Sequence, residues 1–279
     1  MVEAVLWGVR MGSKGYRDTF RSTAWYYARY RPGYPEALFK LLRRKFALDG
    51  TGRLLDLGCG TGQLAVPLAA DFDEVVAMDP EPEMLTEAAP LARARGATNV
   101  AWLEGGSADL EDLRKELGPF RLVTMGNSFH WMDRDATLRI LYEMVLSGGG
   151  IAVVGSSGAD SRWRPAETPS VVDAIVKRWL GPARRAGTAT YEHPEERHEE
   201  VVRRSPFRRM ELLTIPDYRR WTVDRLVGSL YSSSYASPFV LAEKREPFEA
   251  DLRAALAALE PSGGFAEDVD VHAILAWES

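Results

Sequence analysis

At 279 residues, with 46% hydrophobic and 27% charged positions, 24 Gly and 16 Pro, the chain has the composition of a globular protein with one large core and a sizeable elaboration, which excludes collagenous, low-complexity and largely disordered classes. Its one cysteine, Cys59, excludes an intramolecular disulfide framework and a multi-cysteine zinc site and fits a reducing, cytoplasmic setting. The net charge of −5 is unevenly placed: residues 10–53 hold 11 Lys/Arg against 3 Asp/Glu, whereas residues 54–155 hold 7 against 16, so the basic segment reads as a solvated face docked on an acidic core, and no nucleic-acid partner is expected.

The opening stretch 2–9 is apolar but carries Glu3 and lacks the basic flank and small-residue cleavage site of a signal peptide; Met11-Gly12-Ser13 reads as an alternative start. No apolar run approaches the ~20 residues of a membrane helix, so no membrane partner is expected. Thr19–Tyr30 and Pro35–Phe46 read as two helices separated by Arg31-Pro32-Gly33-Tyr34, whose breakers stop the first and start the second. From Arg53 to Gly155, short apolar runs alternate with helix-length amphipathic stretches, the signature of βαβ units. Strands are expected at Arg53–Leu57, Glu74–Asp79, Val100–Leu103, Arg121–Met125 and Gly150–Gly155. Helices are expected at Gln63–Ala70, Pro82–Arg95, Asp109–Leu117 and Asp133–Leu146, with Gly148-Gly149-Gly150 as a sharp turn into the last strand. Beyond it, 156–206 loses clean periodicity around a helical island at Ser170–Leu180 and reads as an insertion. A strand at Met210–Pro216, helices at Val223–Ser232 and Pro247–Leu259 and a strand at Val269–Trp277 then complete the chain. The organisation expected is therefore an N-terminal helical cap (1–50), a doubly wound α/β core (51–155), an insertion serving as lid and acceptor site (156–206) and a C-terminal completion of the sheet (207–279).

The sharpest local signal is Leu54-Leu55-Asp56-Leu57-Gly58-Cys59-Gly60-Thr61-Gly62, a buried strand ending in a carboxylate and then glycines at alternate positions before a helix. Glycines let a ligand lie against bare backbone. A carboxylate beside that loop would repel a pyrophosphate and suits an ammonium or sulfonium group. The dinucleotide pattern G-x-G-x-x-G would need glycine at position 63, which is Gln63, and no Gly-Lys-Ser/Thr marks a P-loop.

Asp56 to Gly62 resembles motif I of the class I S-adenosylmethionine-dependent methyltransferases, and Val75-Val76-Ala77-Met78-Asp79-Pro80 followed by Met84 is similar to their second motif. Asn127-Ser128-Phe129-His130-Trp131-Met132-Asp133, and Tyr27 to Pro35 before the core, resemble segments of bacterial small-molecule members. The resemblance implies a mostly parallel, Rossmann-like seven-stranded sheet and S-adenosylmethionine as cofactor. Asp79 would hold the ribose hydroxyls, and Gly58, Cys59, Gly60, Gly62, Pro80, Met84 and Asn127 would line the nucleoside. Gly106-Ser107-Ala108-Asp109-Leu110 resembles the segment bordering adenine, with Ser107 where an acid often stands, so that Asp109 or main-chain groups would supply that contact. Tyr27 and Arg31 are placed at the methionine end, where an arginine suits a carboxylate.

The function this implies is transfer of a methyl group to an oxygen or nitrogen of a small molecule, of the kind made in specialised metabolism, by a monomer or homodimer. A cyclase or rearrangement enzyme that binds the cofactor without methylating, and a non-enzymatic ligand-binding protein of the same fold, stay open. His130, at a strand's C-terminal end and with a near-neutral ordinary pKa, is read either as the general base or as a wall residue. Trp131 and Trp163 are read as acceptor contacts and Asp133 as a helix cap. His193 and His198, flanking Pro-Glu-Glu-Arg, read as solvated rather than metal-binding, and no metal is expected.

Overall fold

The computed structural model describes residues 19–156, 161–183, 185–187, 189–190 and 195–278. In chain order the elements are helices α1 (Ala24–Tyr30) and α2 (Glu36–Lys45), β1 (Arg53–Leu57), α3 (Ala65–Leu68), β2 (Glu74–Asp79), α4 (Pro82–Ala94), β3 (Val100–Glu104), α5 (Leu110–Leu117), β4 (Phe120–Gly126), α6 (Arg134–Met144) and β5 (Val145–Ser156). There follow β6 (Arg162–Arg164), α7 (Thr168–Leu180), a ribbon of β7 (Arg185–Ala186) and β8 (Ala189–Thr190), α8 (His198–Arg204), β9 (Arg209–Thr222), α9 (Val223–Tyr231), α10 (Pro238–Leu241), α11 (Arg245–Leu259) and β10 (Gly264–Trp277).

The five parallel strands are apolar on both faces, which is why they sit between helix layers. Leu54, Val75, Ala77 and Leu122 turn to the side of α2 and α3, while Leu55, Leu57, Val76, Met78, Val123 and Met125 turn to the side of α5 and α6, and all are buried. The strand order is β3-β2-β1-β4-β5-β10, with β10 antiparallel to β5 and β9 antiparallel along the whole of β10. These are the seven strands expected. An eighth, the three-residue β6, also pairs with β10. Because Ala266 pairs with both Arg164 and Arg220, β6 and β9 lie on opposite edges of β10, and β6 continues the line of β5.

Three expectations are revised. The helix expected over Gln63–Ala70 shortens to α3 and a 3-10 turn at Ala69–Asp71. The glycine triplet lies inside β5, where the register against β4 shifts between Phe120 and Leu122. The strand expected to end at Pro216 runs on to Thr222, because β9 is an edge strand whose proline lacks only an N–H that would point away from β10.

β9 and β10, at 14 residues each, are at least twice as long as β1 to β4, and they run past β5 as well, since Val271 pairs with the last residue of β5, Ser156. Their surplus carries the sheet past its C-terminal edge. A second core gathers there: Ile175 of α7, Trp221 and Phe265 of the extended strands, Leu226, Val227 and Tyr231 of α9 and Phe248, Leu252 and Leu256 of α11. The described part of 156–206, expected as a single lid, is split between the two cores, since α7 joins the second core, that of the observed lid, whereas Val201 and Val202 of α8 are buried against the sheet with Phe207. The lid's remaining helices come from beyond residue 206.

A side chain at Gly150 would place its Cβ 2.2 Å from the Ala276 carbonyl oxygen, whereas one at Gly148 (φ +78°) would meet nothing. Gly150→Val should therefore cost upwards of ~3 kcal/mol, beyond ordinary overpacking, and Gly148→Ala about 1–2 kcal/mol of backbone strain; urea unfolding of both variants checks the difference.

Candidate functional site

The loop after β1 leaves the sheet beside β2 because Gly58 and Cys59 both donate their N–H to the Met78 carbonyl, at 2.8 and 3.0 Å. Its conformation needs glycine. Gly58, Gly60 and Gly62 have φ of +72°, +54° and +84°, and a Cβ at Gly58 would lie 2.5 Å from that of Ser128. Two carboxylates on the same side of the sheet hold the loop. Asp79, at the end of β2, accepts from Gly60 N–H at 2.8 Å and from Glu81 N–H at 2.9 Å. Asp56, within β1, accepts from Thr124 Oγ1 of β4 at 2.7 Å and from Ala65 N–H at the start of α3 at 3.0 Å. Their relative exposures are 8% and 1%. Burial pushes the Asp56 carboxyl up to about 7 and that of Asp79 up to about 6, against the opposing pull of those hydrogen bonds.

A cleft of about 1290 Å³ opens over this loop at the C-terminal edge of the sheet, the place where open α/β sheets bind ligands. Of the residues singled out from the sequence, Tyr27, Gly58, Gly60, Asp79, Pro80, Met84, Ser107, Ala108, Asp109, Asn127 and Trp131 line it. Arg31, Asp56 and Cys59 line a small adjoining cavity with Tyr27, Tyr34 and Asn127. Burial raises the Tyr34 phenol well above its ordinary value, and its hydroxyl accepts from Asn127 Nδ2 at 3.0 Å. The Asp109 carboxylate accepts from Gly106 N–H at 2.8 Å, so part of its capacity braces the turn itself.

Three of the sequence-derived residues stand elsewhere. Gly62 packs against Val66 and Trp102, beneath the cleft. Trp163 is stacked on Trp221 at 5.8 Å in the lid core, because β6 pairs with the extended end of β10 and turns that ring inward. His130 does not line the cleft. It lies in a 3-10 turn (Phe129–Trp131) with its ring 4.9 Å from Trp131 and 6.3 Å from His198. His198 is not in a solvated loop but opens α8, 5.1 Å from Phe129 and with Nδ1 3.2 Å from Arg134; His193 lies outside the described residues. Asp133 caps α6 as expected, accepting from Ala136 N–H at 3.0 Å.

The sequence reading passed over Phe20, Glu81, Glu104, Met132, Thr137 and Ile140, all in the cleft lining. The i, i+4, i+8 spacing of Met132, Ala136 and Ile140 was the available signal. The lining carries carboxylates at Asp79, Glu81, Glu104, Asp109 and Asp133 and no Lys or Arg among the described residues. Such a field repels polyphosphates and draws cations.

Residues 54–149 match the family model of a methyltransferase domain. The glycine loop, both anchoring carboxylates and β2 to β4 all fall within that stretch, which is therefore similar to a methyltransferase domain. An uncharacterized methyltransferase of Schizosaccharomyces pombe is 28% identical over 141 residues, 49% of this chain and 51% of that protein. One of Mycobacterium bovis is 34% identical over 137 residues, again 49% and 51%. The chain thus matches about half the length of these curated relatives. Among solved structures, a chain reported as a type II methyltransferase from Anaeromyxobacter dehalogenans superposes with a TM-score of 0.59 at 24% identity, covering 87% of this chain and 97% of that one, which shows a shared fold. No helix among the described residues is long and apolar enough to cross a membrane.

Because the folded state raises both carboxyl pKa values above their unfolded value of 3.8, the two groups contribute stability that is full below about 3.8 and is lost as pH rises through about 6 for Asp79 and about 7 for Asp56. Asp79→Asn should remove the part of this loss that falls between about pH 4 and 6, flattening the unfolding free energy over that window as measured by urea denaturation.

Proposed function

We propose that this protein binds S-adenosylmethionine in the acidic cleft and transfers its methyl group to an oxygen or nitrogen of a small molecule. The observation that carries the reading is the pairing of a glycine loop, onto which a ligand can be laid without meeting a side chain, with a buried carboxylate at the end of β2. A Cβ at Gly60 would fill the gap to Tyr27, 3.4 Å from its ring. A carboxylate has about four acceptor positions, and Asp79 uses two on the protein's own N–H groups, which leaves capacity for two ribose hydroxyls. Pro80, Met84, Ser107 and Ala108 offer apolar and small surfaces to the adenine, and Arg31, with Tyr27 and Asn127 beside it, offers a guanidinium to the amino-acid carboxylate.

When bound, the cofactor supplies a methyl group activated by a sulfonium. The chain's own contribution is to align an acceptor, exclude water and take up a proton. Alignment accounts for most of the rate in such a transfer, since held reactants gain the equivalent of roughly 7–11 kcal/mol. Phe20, Trp131, Met132 and Ile140 give the cleft an apolar wall for the acceptor, and Phe20 and Trp131 meet edge to face at 5.7 Å. The lining's titratable groups are carboxylates and Tyr27, so the proton leaves to a carboxylate or to solvent, and His130 serves as a wall residue behind Trp131. The acidic field is the reason a nucleic-acid acceptor does not fit.

Two measurements test this reading. Calorimetric titration with S-adenosylhomocysteine should show binding that Asp79→Ala weakens by about 1.5–3 kcal/mol, the range for hydrogen bonds to a charged group; unchanged affinity would remove the ribose assignment. For His130→Ala, kcat should fall by less than about 10-fold, short of the ~10²–10⁴ expected of a general base, and a larger fall with a lost pH dependence would restore His130 to the chemistry.

A further inference from the structure

The helix that brings Tyr27 to the cleft is too short to place itself. α1 has seven residues, and the hydroxyl of its N-cap Thr23 donates back to the Phe20 carbonyl and does not cap the helix N–H groups; an isolated helix of that length is unstable in water. Its orientation must come from what it touches. On the side packed toward α4, Arg29 pairs with Glu87 at 2.9 Å and the Ser22 N–H, just before the helix, donates to Glu83 at 3.1 Å, partly solvated polar contacts worth little. On the lid side the contacts are built. The Tyr26 ring meets Tyr231 of α9 edge to face at 5.1 Å. The Tyr26 hydroxyl accepts from Arg245 of α11 at 2.6 Å, and the same guanidinium lies over both rings, 5.7 Å from Tyr26 and 5.1 Å from Tyr231.

The tightest approach is between Tyr30 and Gly228. Gly228 is a buried helical residue of α9, in a conformation any residue adopts, so backbone strain does not explain the glycine. Space does. A Cβ there would lie 2.3 Å from Tyr30 Cγ and 2.4 and 2.6 Å from the neighbouring ring carbons. The ring lies on bare backbone. Tyr27 is one residue from Tyr26 and three from Tyr30 on the same two-turn scaffold, and its other side faces Gly60 and the cleft.

We propose that Gly228, Tyr30 and Tyr26 are positioning residues for the cofactor pocket: the lid sets the place of Tyr27 over the glycine loop through the flat contact of Tyr30 on Gly228. The inference rests on the reading that the cleft holds S-adenosylmethionine. A methyl group at position 228 would have to push the ring back by on the order of 1 Å to reach ordinary contact, and α1, with no packing strength of its own, would carry Tyr27 with it. A misplacement of that size is enough to matter at a binding site. None of the three residues need touch the ligand for this to hold.

The test uses the full chain, S-adenosylhomocysteine as probe, calorimetric affinity and the melting temperature without ligand. Gly228→Ala, which crowds the joint, and Tyr30→Ala, which empties it, should each weaken S-adenosylhomocysteine by about 10-fold or more, while Tyr30→Phe stays within about 2-fold of wild type. Leu256→Ala, in the lid core on α11, is the structural control: it should lower the melting temperature at least as much yet leave the affinity within about 2-fold. Wild-type affinity in either Gly228→Ala or Tyr30→Ala, or a Leu256→Ala protein that binds as weakly as they do, overturns the proposal while the cofactor reading stands. Absence of binding by the wild-type chain overturns the cofactor reading, and this inference with it.

Discussion

Two buried carboxylates hold backbone N–H groups at the C-terminal edge of the sheet, and the geometry of the site follows from that. Asp56 ties β1 to β4 through Thr124 and to the start of α3 through Ala65; Asp79 ties β2 to the middle of the glycine loop through Gly60. With both anchors in place the loop has no freedom to collapse into the cleft it borders. The arrangement is costly, because charge is taken out of water. Part of that cost is offset by the hydrogen bonds, and the remainder is visible in the raised carboxyl pKa values. A site whose own anions are under-solvated is predisposed toward ligands that bring donors or positive charge.

The lid follows from a difference in strand length. The parallel strands end at the cleft, but β9 and β10 continue, and their paired ends give the lid helices a surface to bury against. Trp221 donates its indole N–H to the buried Glu267 carboxylate at 3.1 Å, and Ser161 donates to the other oxygen at 2.9 Å, fastening the strand ends to the start of the segment after β5. The lid is thus continuous with the sheet through two strands and joined to the cap through α1. The cap is not an independent layer. α2 is buried on the sheet through Leu38, Phe39 and Leu42, while α1, only five residues upstream, belongs to the lid by its contacts with Tyr231 and Gly228.

Local sequence determined the core. Apolar runs with a 3.6-residue or two-residue period place β1 to β4 and α4 to α6 to within a few residues, because each of those elements buries a face set by its own side chains. Asp56, Gly58 and Gly60 were legible for the same reason, since a carboxylate at a strand end and glycines at positive φ act within a handful of residues of one another, whereas Asp79, 19 residues beyond Gly60, was marked by the resemblance of its strand end to a family motif. Where the chain's partners are distant in sequence, the pattern carried no such information. Trp163 and Trp131 are alike as isolated aromatic residues, yet one stacks in the lid core and the other lines the cleft. His130 sits in a motif at the cleft's edge but turns toward α8, more than 60 residues on. The length of β9 beyond Pro216 depended on having β10 on one side and, among the described residues, no strand on the other. Gly228 is required not by its neighbours in the chain but by Tyr30, nearly 200 residues upstream, whose ring lies on it. Periodicity and backbone chemistry are properties of neighbours along the chain, whereas the direction a side chain faces across an interface is decided by the surface it meets, and that surface exists only after the chain has folded.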